Sequence, residues 1–137
     1  MLSVEKEHRG ETPVFDLPLT MGENRIERTN AVLYLLPLGA PPPEDCKNYP
    51  FTATANICSS AVVGALRART RRAGDVILHG GHHKTVRRLA TIAHLAPTVR
   101  ARMPLLTDDE GPLAVPFGPT RDGAAKDPDL TVYFCFA

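Results

Sequence analysis

The sequence predicts one α+β domain that contains more strand than helix. Several apolar runs have the length of single strands, and only two stretches have a helical pattern. The chain also has 13 prolines and 10 glycines, which divide it into short elements joined by loops. With 137 residues and 43% hydrophobic content, it is long enough for one core and one ordinary domain.

The polar N-terminus differs from the rest of the chain. Residues 1–13 have no apolar period, which predicts a flexible segment ahead of a single domain at 14–137. No stretch approaches the roughly 18 unbroken apolar residues of a membrane helix, and the first residues are too charged for a signal peptide. We therefore expect a soluble, cytoplasmic protein without a membrane partner.

The first half of the domain has the pattern of strands and loops. Apolar residues predict strands at 14–19 and 31–38, separated by a turn at 21–24. Three consecutive prolines predict an irregular loop at 39–50, because proline cannot donate a hydrogen bond to a sheet. A weak alternation predicts another strand at 51–58.

The next stretch, 61–70, begins apolar and ends with Arg67 and Arg69. On a strand these two side chains lie on the same face. A turn at 71–75 and a short strand at 76–78 follow, and the glycines after them indicate a flexible loop at 79–81.

The clearest helical pattern runs from about residue 83 to residue 94. Apolar and basic residues both follow the i, i+3, i+4, i+7 rule, on opposite faces. The apolar face comprises Val86, Leu89, Ala90 and Ala93, and the other face comprises Lys84, Arg87, Arg88 and Thr91. This pattern predicts a helix that packs one face and exposes a basic one.

The last third of the chain predicts a short helix and three strands. Pro97 suits the first position of a helix that ends near Arg102. Apolar pairs at 105–106 and 113–115 flank an acidic turn, as in a hairpin, and 131–136 has the composition of a final strand. We expect the three acids of that turn, residues 108–110, to be exposed rather than catalytic.

A concentrated basic block is the strongest functional signal. Between Arg67 and Arg102 there are nine Lys or Arg and one acid, Asp75, a net charge of +8 in a chain whose total is +1. Such a block indicates a face that binds a polyanion, and the predicted helix start at 81–84 adds a candidate phosphate seat. The alternative is a solvated charged face, which the scarcity of nearby acids disfavours.

Other kinds of site are poorly supported. Cys46, Cys58 and Cys135 are far apart and odd in number, which indicates reduced structural thiols rather than disulfides or a zinc site. The histidines at 79, 82 and 83 lack partners at metal-ligand spacing, so we expect no metal. The sequence has no nucleotide-binding loop and no nucleophile elbow, and it has few aromatic residues for base stacking. Structured RNA fits this composition better than single strands do.

Five ordered motifs carry a resemblance to a known family. They are LRARTRRAGD at 66–75, GGHHKTVRRL at 80–89, PTVRARMPLL at 97–106, DDEGPLAVP at 108–116 and RDG at 121–123. In this order and spacing they resemble the C-terminal domain of bacterial tRNA(Ile)-lysidine synthase, a member of the PP-loop ATPase family. The good match covers about 61–123, and 17–38 corresponds to the preceding strands. The sequence departs from the family pattern at Ala73, Ala90 and Phe117, where proline, phenylalanine and glycine are usual.

The resemblance implies both a fold and a role. The family fold is like that of a domain of the phenylalanyl-tRNA synthetase beta chain, with β-sandwich-like mixed sheets and one or two short helices. The parent ligase uses ATP to couple lysine to the wobble cytidine of a minor isoleucine tRNA. This chain lacks the PP-loop motif, so we expect no catalytic residue and no cofactor in it, with ATP and magnesium in the parent's catalytic domain.

The resulting hypothesis is a non-catalytic, tRNA-binding domain that takes part in tRNA modification. Its expected partners are minor isoleucine tRNA, gripped on the acceptor-stem side, and the parent catalytic domain. The expected RNA-binding residues are Arg67, Arg69, Arg71, Arg72, Lys84, Arg87, Arg88 and Arg100. An alternative from another class is a protein-interaction module that docks its basic face on an acidic partner domain.

Overall fold

The structure, a computed structural model, describes residues 14–27 and 29–137. The predicted flexible segment at 1–13 lies outside these residues. Two four-stranded sheets and one hairpin account for the described strands. They are β1 (Asp16–Pro18), β2 (Gly22–Ile26), β3 (Ala31–Pro37), β4 (Phe51–Ile57), β5 (Arg67–Thr70), β6 (Val76–His79), β7 (His82–Thr85), β8 (Pro104–Asp108), β9 (Gly111–Ala114) and β10 (Leu130–Phe136).

The two larger sheets draw strands from both halves of the chain. The first has the order β1-β5-β8-β9 and the second the order β2-β3-β10-β4, while β6 and β7 form the hairpin. All pairs of named strands in the described part of the chain are antiparallel. The predicted α+β class is therefore confirmed, with antiparallel rather than mixed sheets. Two short α-helices, α1 (Val86–Ile92) and α2 (Pro97–Arg102), complete the described fold.

One hydrophobic core joins the sheets and the helices. Leu33, Val132 and Phe134 point inward from the second sheet, and Leu105 comes from the first. Val86 anchors α1 in the same cluster. Because side chains alternate along a strand, these inward residues are every second position of β3 and β10.

The outer face of the second sheet is covered by the proline-containing loop. A 3₁₀ helix at Glu44–Asn48 places Cys46 against Cys135 of β10, with the two sulfur atoms 2.9 Å apart. Both thiols are free and buried, whereas Cys58 is half-buried. Burial raises the pKa of Cys135 to about 12, and the hydrogen bond with Cys46 acts in the same direction. The prediction of reduced structural thiols is consistent with this arrangement.

Two elements of the first half differ from expectation. Residues 21–24, predicted as a turn, belong largely to β2. The Asn24 side chain, which suggested a turn, is buried instead and donates hydrogen bonds to the carbonyls of Thr20, Gly22 and Leu33. The strand predicted at 61–70 is confined to Arg67–Thr70, since a 3₁₀ helix occupies Ser59–Ala61.

The main helix is shorter than its periodicity predicts. Residues 82–85 form β7, because Gly80 and Gly81 both have positive φ and close a two-residue hairpin after β6. Helix α1 then begins at Val86, where the Thr85 hydroxyl accepts a hydrogen bond from the Arg88 N–H. It ends before His94, which adopts a left-handed φ of 61°. The predicted helix at 97–102 is confirmed as α2.

Helices α1 and α2 have only 7 and 6 residues. Within 14–27 and 29–137, no helix has the length and apolar character needed to cross a membrane.

Candidate nucleic-acid interface

Arg69 is buried and paired within the fold, and it does not belong to the basic surface. Its guanidinium donates two hydrogen bonds to the Asp75 carboxylate, Nη1 to Oδ2 at 2.8 Å and Nη2 to Oδ1 at 2.9 Å. Both side chains are about nine-tenths buried. Burial alone would raise the pKa of Asp75, but the hydrogen bonds from Arg69 and from the Arg72 N–H hold it below its ordinary value. The pair fixes the turn at 71–75.

Arg67 and Arg72 share a carboxylate on the neighbouring edge strand. Arg67 Nε donates to Asp16 Oδ1 at 2.6 Å, and Arg72 Nη2 donates to Asp16 Oδ2 at 2.8 Å. Arg72 keeps 62% of its side chain exposed, whereas Arg67 keeps 35%. These two arginines therefore border the basic surface while one acid partly neutralises them.

The other five predicted residues make no ion pair within the described part of the chain. They come from the turn at 71–75, from β7, from α1 and from α2. The five are Arg71, Lys84, Arg87, Arg88 and Arg100. Since cations without acid partners repel one another, their grouping on adjacent elements favours an external anion.

Four arginines line one open pocket of about 610 Å³. We call it the arginine pocket; its basic residues are Arg71, Arg72, Arg87 and Arg100. The turn at 71–75 forms one wall, with α1 and the start of α2 forming the others. Asp75 also lines the pocket, but its charge is matched by Arg69. The local field is therefore strongly positive.

Two arginines of the pocket carry donors that lack a partner. The Nε atoms of Arg71 and Arg100 are buried and have no acceptor among the described residues. A buried donor without an acceptor costs about 1–3 kcal/mol. Arg100 is held in place at its other end, where Nη1 donates to the Thr91 hydroxyl at 2.8 Å. The Thr91 hydroxyl in turn donates to the Arg87 carbonyl, so Arg100 connects the two helices.

A second groove, of about 440 Å³, lies on the other side of α1. Lys84 and Arg88 line it with His82 and His83, and Leu89 and Ile92 add apolar lining. Arg87 and Arg88 are neighbours in sequence and both exposed, yet they line different cavities. The basic surface thus has two separate parts.

The phosphate seat predicted at 81–84 is wrong in its structural basis. No helix begins there, and the tip of the hairpin already binds a carboxylate of this chain. Asp122 Oδ1 and Oδ2 accept hydrogen bonds from the N–H groups of Gly80 and Gly81, each at 2.9 Å. These bonds lower the pKa of Asp122 below its ordinary value. The glycine loop attracts an anion as expected, but an internal one.

The expectation of an exposed acidic turn fails at Asp108. This residue is buried at the end of β8 and accepts hydrogen bonds from both Arg121 nitrogens, at 2.9 and 2.6 Å. Its oxygens also accept from the N–H groups of Val63 and Glu110. Glu110 and Asp109 are exposed as predicted. Asp108 is therefore a structural anion that ties three segments together.

The histidines do not form a metal cluster in the described ranges. No group of three His, Cys, Asp or Glu side chains within 14–27 and 29–137 has the arrangement needed to hold a metal ion. His79 lies with Nδ1 3.3 Å from the Thr120 carbonyl and 3.9 Å from Asp122. His82 and His83 belong to the second groove instead.

Two partners of the basic residues, Asp16 and Thr91, cannot be recognised from the sequence pattern. Asp16 lies 51 positions from Arg67, and nothing in its local sequence distinguishes it from a surface acid. The helical pattern places Thr91, which orients Arg100, on the polar face of the helix and gives it no further role. The register of β1 against β5 brings Asp16 to the basic block, and that register has no local signature.

Comparisons with known proteins agree with this fold. Residues 66–132 match the family model described as the TilS substrate C-terminal domain. A solved structure, "Crystal structure of TILS C-terminal domain", aligns with a TM-score of 0.66 and 17% identity, covering 90% of this chain and 98% of that chain. No curated protein matches the sequence. Residues 66–132 therefore match the TilS substrate C-terminal domain family, and the fold described here is similar to that of the solved TilS C-terminal domain.

Proposed function

We propose that this chain is the non-catalytic, tRNA-binding C-terminal domain of a tRNA(Ile)-lysidine synthase. It acts in the cytoplasm, where it grips minor isoleucine tRNA on the acceptor-stem side and leaves the chemistry to the parent's catalytic domain. ATP and magnesium belong, in this proposal, to that catalytic domain.

The observation that carries the proposal is the surface formed by the five cations that make no ion pair with another described residue. Together with Arg72, they surround the arginine pocket and the second groove on either side of α1. A folded RNA presents rows of phosphates, which permanent charges on fixed elements bind without reading base identity. The charge distribution therefore fits an RNA backbone.

The described side chains suggest how the contacts divide. Arg69 is removed from the expected contact set, because its donors are used by Asp75 and it is buried. Arg67 and Arg72 contribute in part, while Arg71, Lys84, Arg87, Arg88 and Arg100 provide most of the attraction. Phosphate contacts of this kind position the RNA and give an affinity that falls with salt. Selectivity among tRNAs then comes mainly from the rest of the enzyme.

The test is a fluorescence titration of this chain with minor isoleucine tRNA and with an unrelated tRNA, at about 50 and 200 mM salt. We expect both tRNAs to bind with little preference and with strong salt dependence. Arg71→Ala combined with Arg88→Ala should weaken binding and reduce the salt slope by about two.

A matched control removes two cations from the other side of the molecule. Arg25 pairs with Glu23 on β2, and Lys47 pairs with Glu44 over the outer face of the second sheet. Arg25→Ala combined with Lys47→Ala should leave tRNA binding close to that of the wild type. An unchanged affinity and salt slope in the Arg71 and Arg88 variant would refute the proposed roles. A stable complex with the parent's catalytic half, without any binding of tRNA, would favour the protein-interaction alternative.

A further inference from the structure

We propose that the arginine pocket is a site for one phosphate monoester, the 5′-terminal phosphate of the bound RNA. This inference rests on the proposed function and assigns a distinct ligand group to one part of the basic surface. The second groove is then left for phosphates along the RNA backbone.

The first argument is that arginines from three different elements converge on one cavity. Arg71 and Arg72 reach the pocket from the turn at 71–75, Arg87 from α1 and Arg100 from α2. A row of cations along one element matches successive backbone phosphates, which are separated along a strand. Four guanidinium groups around one cavity instead match a single, highly charged group.

The second argument concerns the charge and the oxygens of the ligand. A backbone phosphodiester carries one negative charge and has two unbonded oxygens. A phosphate monoester carries a charge of about −1.5 to −2 at neutral pH and has three acceptor oxygens. The pocket holds four arginines, of which Arg72 is partly neutralised by Asp16, and the carboxylate that lines it, Asp75, is already paired with Arg69. A monoester therefore matches this excess of charge better than a diester does.

The third argument is the pair of donors without acceptors. Arg71 and Arg100 each carry a buried Nε–H that no described residue accepts, although both residues line the pocket. Thr91 holds the far end of Arg100, so that its guanidinium is oriented in advance. A small rotation of either arginine toward a phosphate oxygen would give its Nε–H an acceptor. The pocket has a built polar lining, which a purely solvated charged surface does not need.

The experiment compares two short RNA hairpins of identical sequence, one with a 5′-phosphate and one with a 5′-hydroxyl. We expect wild-type chain to bind the phosphorylated hairpin about tenfold more tightly, as charge-assisted hydrogen bonds of this kind imply. Arg87→Gln and Arg100→Gln should bind both hairpins alike. Arg87 is exposed, so its substitution keeps the test valid even if Arg100→Gln weakens the fold.

Arg88→Gln is the matched control. It removes the same charge at the position next to Arg87, but Arg88 lines the second groove instead of the arginine pocket. It should weaken binding of both hairpins while keeping the preference for the 5′-phosphate. Equal, salt-sensitive binding of both hairpins by the wild type would overturn the pocket assignment and leave the proposed function standing. Inorganic phosphate is the separate probe of the pocket. If it bound and Arg87→Gln abolished that binding while no RNA bound, the RNA-end assignment and the proposed function would both be refuted.

Discussion

Arg69 on β5 and Asp75 at the end of the turn at 71–75 form an ion pair with two hydrogen bonds, with donor–acceptor distances of 2.8 and 2.9 Å. The same carboxylate accepts a hydrogen bond from the Arg72 N–H at 2.6 Å. The pair thus fixes the backbone from which Arg71 and Arg72 reach the arginine pocket. Arg69, one cation of the basic block, therefore helps to position two others, Arg71 and Arg72.

Substitution of Arg69 by methionine should destabilise the domain. It leaves Asp75 buried without its counter-ion, which costs about 3 kcal/mol in comparable pairs. Urea unfolding followed by circular dichroism measures this loss at neutral pH. The double variant with Asp75→Asn should recover part of it, because the uncompensated charge is then gone. A wild-type unfolding midpoint for Arg69→Met would show that the pair is not needed for the fold.

The strands and the second helix could be predicted because their signals are local. The apolar runs at 31–38 and 131–136 correspond to β3 and β10, and Pro97 marks the start of α2. The start predicted for the long helix, at residue 83, is wrong. The residues at 82–85 satisfy a helical period, but the positive φ of two glycines commits them to a hairpin first.

The sequence predicts that the site is positively charged, but it does not predict how the basic side chains are arranged. The sequence shows nine cations near one acid, and most of them make no ion pair with a residue in 14–27 or 29–137. Which ones line a common pocket depends on how the turn at 71–75 packs against α1 and α2. The tertiary pairing of Asp16 with Arg67 and Arg72 decides that these two cations are partly neutralised, and it joins residues far apart in the chain.

Asp108 should make the domain sensitive to acid. Burial alone would raise its pKa, but hydrogen bonds from Arg121, Val63 and Glu110 hold the folded-state pKa below the ordinary value of 3.8. A pKa lower in the folded state means that this stability is fully present above about pH 4 and is lost as the pH falls through the folded pKa. Thermal unfolding between about pH 2 and pH 7 measures the acid limb of the stability curve.

The variant Asp108→Asn tests that assignment. It removes the titrating group, so the domain should be less stable at pH 7 and lose less of its remaining stability on acidification. The exposed neighbour Glu110 offers the comparison, since Glu110→Gln keeps the N–H that Asp108 accepts. An acid limb as steep in Asp108→Asn as in the wild type would assign the acid sensitivity to other carboxylates.

Removal of the Asp122 carboxylate should loosen the tip of the β6–β7 hairpin. In Asp122→Ala the N–H groups of Gly80 and Gly81 lose the acceptors that they have at 2.9 Å. Their amide hydrogen exchange, followed by NMR, should therefore become faster. The Gly39 amide is an internal control, because it donates to the Thr131 hydroxyl instead. Unchanged protection at both glycines would mean that the hairpin itself, and not Asp122, holds the tip.

Asp16 should restrain RNA binding, because it partly neutralises Arg67 and Arg72 at the border of the basic surface. Burial would raise its pKa, but both arginines lower it below the ordinary value, so the carboxylate is ionised at neutral pH. Asp16→Asn should therefore raise tRNA affinity about two- to fivefold at low salt and steepen the salt dependence. Glu44→Gln makes the same charge change over the outer face of the second sheet, and we expect a smaller effect from it. If both variants raised the affinity equally, net charge rather than the released arginines would account for the gain.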